Sequence, residues 1–127
     1  MPTSEVSTGW SLDVDRGPDW LFVTVRRPDA EADIAPHLAE AIWSIMQRHF
    51  VSRLVLELSE IDHLHSHLIG QLVLLHKRIT SRGGVLRVCG LSPGNEAALH
   101  ASRLDSRFPN YRNREEAVLG HRPLQPR

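Results

Sequence analysis

Arg53–Gly83, RLVLELSEIDHLHSHLIGQLVLLHKRITSRG, is the stretch whose reading decides the fold. Leu54, Val55, Leu56 and Leu58 make a short, almost continuous apolar run, the pattern of a strand covered on both faces. After a polar turn, Leu68, Leu72, Leu75 and Ile79 recur at helical spacing, and Ile69 and Val73 widen the stripe. Gly83 and Gly84 close that helix, because glycine readily adopts the left-handed backbone that helix ends favour. Ser66 stands at the junction of turn and helix, where a hydroxyl can accept a bond from a first-turn amide, so the pattern predicts Ser66 as the N-cap.

Upstream of this unit, Trp10, Leu12 and Val14 alternate with polar residues, Asp15–Asp19 makes a turn, and Trp20, Phe22, Val23 and Val25 follow as a second strand, which reads as a hairpin. Ile34, Leu38, Ile42, Ile45 and Met46 then repeat at helical spacing, with Asp33 as the expected cap and Pro36 tolerated in the first turn. Downstream, Val85, Leu86, Val88 and Cys89 form a further strand. Ser92 and Pro93 open a short helix running to about Leu104, and a short edge strand is expected near Tyr111. Asn113 and Glu116 have capping-box spacing for a last helix that Gly120 ends. Residues 1–9 read as a flexible terminus, 10–120 as one domain and 121–127 as a flexible tail. Strands alternating with helices in this order describe an α/β domain with a mixed sheet.

The totals exclude several function classes. Fifteen basic and fifteen acidic residues leave no net charge, which argues against a nucleic-acid partner. No apolar run approaches the roughly 20 residues a membrane helix needs, and the N-terminus lacks a signal pattern, so a cytoplasmic location is expected. A single cysteine, Cys89, rules out an internal disulfide and lies in an apolar strand where an inert thiol is the expected state. No phosphate-binding glycine loop and no nucleophile–base pair is present, so no catalytic residue and no cofactor are assigned. Trp10, Trp20 and Trp43 read as packing residues, and Arg78, Arg82 and Arg87 as solvated faces. His63, His65 and His67 form an H-x-H-x-H run, but a helix starting at Ser66 would break the common side that a metal site needs.

Taken segment by segment, residues 50–120 resemble the STAS domains of the anti-sigma factor antagonist type, in which a strand, a turn with a D-S-S-G-like motif and a helix carry a regulatory serine. His65-Ser66-His67-Leu68 falls on that motif, Gly70 on the glycine that follows it, and Val88–Pro93 looks like the family's fourth strand and its exit. His65, His67 and Leu68 replace the aspartate, the second hydroxyl and the first glycine of the pattern. The resemblance implies a STAS-like mixed sheet of about five strands packed with about four helices. It also implies a non-catalytic protein that binds an anti-sigma factor serine kinase, is phosphorylated at Ser66 and is reset by a serine phosphatase. The partner surface would comprise Asp62, His63, His65, Ser66, His67, Gly70 and Gln71. Two other readings stay open: a STAS scaffold without phosphorylation, and a metal or small-ligand sensor using the histidines. Nothing in the pattern selects an oligomeric state.

Overall fold

A computed structural model of the protein describes residues 3–7, 10–26 and 37–120. Six strands and four helices are present among them, in the order β1 (Thr3–Ser7), β2 (Trp10–Arg16), β3 (Leu21–Arg26), α1 (Leu38–His49), β4 (Arg53–Glu57), α2 (Ser66–Ser81), β5 (Val85–Cys89), α3 (Pro93–Ala101), β6 (Asn110–Tyr111) and α4 (Arg114–Leu119). The strands lie side by side in sequence order. β1, β2 and β3 pair antiparallel, whereas β3, β4, β5 and β6 pair parallel, each parallel step spanned by a helix. The mixed α/β architecture is the one expected. The structure adds β1, whose backbone pairs with β2 at the sheet edge where the sequence suggested a loose terminus.

The burial of β4 on both faces explains its apolar run. Leu54 and Leu56 point into the larger core with α1, α2 and Leu99 of α3, while Val55 points the other way, into a smaller core of Trp20, Cys89, Tyr111 and Ala117 beneath α4. Leu68, Leu72, Leu75 and Ile79 seat α2 on the first face. Each such side chain contributes roughly 1.5–3 kcal/mol relative to exposure. The helix ends in a Schellman motif: the amide of Gly84 donates to Ile79 O and that of Gly83, at φ 78°, donates to Thr80 O. A side chain at Gly84 would come within 2.3 Å of Ser52 O, so the chain needs glycine there for closeness as well.

Two expected caps are present as read. Ser92 accepts from the amide of Asn95, and Asn113 accepts from that of Glu116, with Gly120 closing α4 at φ 77°. The third helix stops at Ala101, short of Leu104, because Arg103 turns left-handed. The expected cap Asp33 and first-turn Pro36 lie outside the described residues, as do 121–127. Arg87 is only partly solvated: its guanidinium donates to the carbonyls of Ala117 and Val118 at 2.9 and 3.1 Å and lies over Trp20, holding α4 onto the sheet. Among the described residues no helix is long and apolar enough to cross a membrane.

Candidate functional site

The loop from Leu58 to His65 carries the chain from the end of β4 to the start of α2. The amide of Leu58 donates to Cys89 O at 3.0 Å, continuing the sheet one step, and the amide of Ile61 closes a turn on Leu58 O. Ile61 and Leu64 are buried anchors, and between and after them Asp62, His63, His65, Ser66 and His67 are exposed. This in-and-out alternation lets a polar loop sit over an apolar core without exposing the core.

The anchors are gripped by a residue the sequence reading passed over. Asn95, in the first turn of α3, is 1% exposed. Its side-chain carbonyl accepts from the amide of Leu64 at 2.9 Å, and its amide donates to the carbonyl of Ile61 at 2.8 Å. Two backbone groups that would otherwise be buried without partners are thereby satisfied. The only sequence signal was a polar residue of poor helix propensity in the first turn of an expected helix.

Ser66 is not the N-cap. That position belongs to His65, in extended geometry with ψ 159° and with no side-chain cap bond; Ser66 is the first helical residue. The cause is the anchor: Leu64 is fixed by burial and by Asn95, and the chain turns helical as soon as it has passed one extended residue. Three features of the site accompany this helix start. The Ser66 hydroxyl makes no hydrogen bond to any described residue and is exposed. The first intrahelical bond runs from the amide of Ile69 to His65 O, so the amides of Ser66, His67 and Leu68 have no intrahelical acceptor. The first turn of α2 contains no acidic residue, which leaves the positive end of the helix dipole uncompensated locally.

Gly70 lies one turn beyond Ser66 on the same face. It is exposed, and a side chain there would meet nothing within 4 Å, so no packing within the domain requires glycine. Gln71 is engaged internally: its side-chain carbonyl accepts from the amide of Ala39 at 2.9 Å and so caps α1 from α2. The histidines separate as the helix start demands. His63 and His65 stack edge to face with ring centres 4.5 Å apart, while His67 belongs to α2. Among the described residues no three His, Cys, Asp or Glu side chains come together as metal ligands.

A second polar region, an open cavity of about 340 Å³, lies where β4 and β5 end and α4 begins, lined by Glu57, Ser59, Cys89, Asn113 and Arg114 among others. Its groups are committed to one another. Arg114 bonds to Glu57 at 2.9 Å, Asp15 at 3.1 Å and Thr24 at 3.2 Å, tying α4 to three strands. Burial opposes its charge, but the bonds and charges of Glu57 and then Asp15 outweigh burial and raise its pKa. Burial, reinforced by the charge of Glu57, pushes the Cys89 thiol up to about 12, so it is protonated at neutral pH and unsuited to nucleophilic work.

Comparison with known proteins agrees with this geometry. The family model described as STAS domain matches residues 22–117, well over half of the chain. No protein of curated function is a significant sequence match. Among solved structures, an anti-sigma factor antagonist from Mycobacterium paratuberculosis superposes with a TM-score of 0.72 at 22% identity, over 91% of this chain and 97% of that one. A STAS domain protein described as an anti-sigma-factor antagonist, from Planctomyces limnophilus, gives 0.65 at 20% identity, over 86% and 96%. The Bacillus cell fate determinant SpoIIAA in its phosphorylated form gives 0.58 at 10% identity, over 86% and 97%.

Proposed function

The chain belongs to the STAS domain family, and from that premise we propose that it is an anti-sigma factor antagonist-like partner-switching protein: it binds an anti-sigma factor serine kinase and is regulated by phosphorylation of Ser66. A serine phosphatase returns it to the binding form. The protein works in the cytoplasm and contributes a surface rather than a reaction. That surface is Asp62, His63, His65, Ser66, His67, Gly70 and the outer part of Gln71.

One observation supports the reading above the others. Ser66 presents a free, exposed hydroxyl at the head of α2, beside three amides without intrahelical acceptors and with no carboxylate in the first turn. A phosphate added there meets the positive end of the helix, an interaction worth about 0.3–1 kcal/mol and up to about 2 kcal/mol where partly buried. The fold therefore tolerates the modification, while the surface changes by roughly two negative charges. Gly70 adds support from the other direction. A glycine inside a helix costs about 0.5–1 kcal/mol relative to alanine, and with no internal neighbour to demand it, the close approach of a partner is the remaining reason for it.

The test is intact-mass spectrometry of the protein purified from its own cells, with and without phosphatase, followed by fragmentation across His63–Gly70. A phosphate on Ser66 establishes the switch. A serine that stays unmodified under several growth conditions sinks it and leaves the scaffold reading, which the imidazole at the N-cap favours and which a Ser66→Ala protein with unchanged partner binding would support.

A further inference from the structure

We propose that Asn95 is a positioning residue for the switch: it fixes the loop in the one conformation that presents Ser66 to the partner, and it makes the first turn of α3 part of the same rigid body. The inference rests on the partner-switching reading for its functional half, and on geometry alone for its structural half.

Between Leu58 and the helix start, the described loop has two side-chain anchors, Ile61 and Leu64, and Asn95 holds the backbone of both. It holds the carbonyl of one and the amide of the other, so its amide spans the turn that displays Asp62 and His63. Asn95 is itself doubly fixed. Its own amide donates to the Ser92 hydroxyl at 3.1 Å, and its side chain lies in the interior. A buried side chain of this kind has one rotamer and one pair of partners. An apolar residue of the same shape would leave Ile61 O and Leu64 N buried without partners, and the loop would open to find water for them. Because His65 takes the N-cap only when Leu64 is held, loosening Leu64 lets the start of α2 slide, and the position of Ser66 slides with it. The effect is on presentation: Asn95 is buried beneath the loop and touches no partner.

Three variants test this in the full chain: Asn95→Leu, which removes both bonds; Asn95→Asp, which keeps an acceptor for Leu64 and loses the donor to Ile61; and Asn113→Ala, which removes the α4 cap on the opposite face and serves as a control for general destabilisation. Two quantities are read: amide hydrogen exchange at Leu64 relative to Leu56 in the core, and the fraction of Ser66 carrying phosphate in the protein's own cells. In Asn95→Leu the Leu64 amide is expected to exchange at least about tenfold faster relative to Leu56, with the phosphorylated fraction falling severalfold. Asn95→Asp should show an intermediate change, and Asn113→Ala neither. Should Asn95→Leu fail to fold, Asn95→Asp carries the comparison. Unchanged protection of Leu64 overturns the proposal, and so does lost protection with an unchanged phosphorylated fraction. A wild-type protein without phosphate sinks the partner-switching reading instead, while exchange at Leu64 still decides whether Asn95 holds the loop.

Discussion

Replacing Ser66 by alanine should leave the stability of the domain almost unchanged, whereas the same change at Ser92 should not. The two serines open adjacent crossover helices and look alike in sequence. Ser92 is a true cap, its hydroxyl accepting from the amide of Asn95 at 3.1 Å. Its loss costs about 1 kcal/mol, within a usual range of about 0.5–2. Ser66 lies one residue inside α2, and its exposed hydroxyl bonds to no described residue. Ser66→Ala should therefore stay within about 0.5 kcal/mol of the parent, and alanine's better helix propensity adds a few tenths in its favour. Ser66→Asp should be mildly stabilising, by about 0.3–1 kcal/mol, because a carboxylate then sits at the positive end of α2. Urea unfolding followed by tryptophan emission is the assay, since Trp10 and Trp20 are buried and report the loss of both cores. With a urea dependence of about 1–3 kcal/mol per molar, a loss of about 1 kcal/mol moves the midpoint down by roughly 0.3–1 M. A Ser66→Ala midpoint as low as that of Ser92→Ala would refute the argument, because the hydroxyl would then be holding the helix and would not be free for modification. If the expected result is obtained, Ser66→Ala and Ser66→Asp become clean probes, and any change in partner binding reports the switch and not the fold.

Gly70→Ala should raise stability by about 0.5–1 kcal/mol, since the position is open and helical, and should weaken partner binding; a stabilised protein that binds as before would remove Gly70 from the interface. Gly84→Ala should cost more than about 1–3 kcal/mol, the usual range for overpacking, because the added carbon meets the Ser52 carbonyl at 2.3 Å; a neutral result in thermal unfolding would show that the α2–β5 connection can shift. Burial, helped by the charge of Arg107, lowers the pKa of His76, which packs against Phe108 at 5.2 Å between ring centres. The unfolded chain then binds the extra proton more readily, so this contribution to stability is complete above the unfolded value of about 6.5 and is lost as pH falls through it towards the lower folded value. A urea midpoint that declines equally from pH 7.5 to 5.5 in the parent and in His76→Gln would contradict that assignment.

How much of this was legible beforehand depends on the range of the interaction. The period-two and period-3.6 patterns placed β4, α2, β5 and the hairpin β2–β3, since burial on a strand or helix face is written in spacing. Ser92 with Pro93, Asn113 with Glu116, and Gly83 with Gly84 were legible for the same reason, as a cap or a stop is made within four or five residues of chain. The site was only half readable. A serine ahead of an apolar stripe identified the head of α2, and the family resemblance drew attention to it. Its role as first helical residue was decided by Leu64, held from α3 by a residue 31 positions away. The same holds for Gln71 capping α1 across 32 positions and for Arg114 reaching Asp15 across 99. Polar side chains carry no periodic signature, and a hydrogen bond is directional and of short reach, so a partner can be assigned only after the fold has brought two distant segments together. Sequence by itself determined which segments are strands and helices from Trp10 onward, though not the edge strand β1, and which end of α2 is chemically interesting. The tertiary structure decided where the helix begins, and with it which hydroxyl is left free.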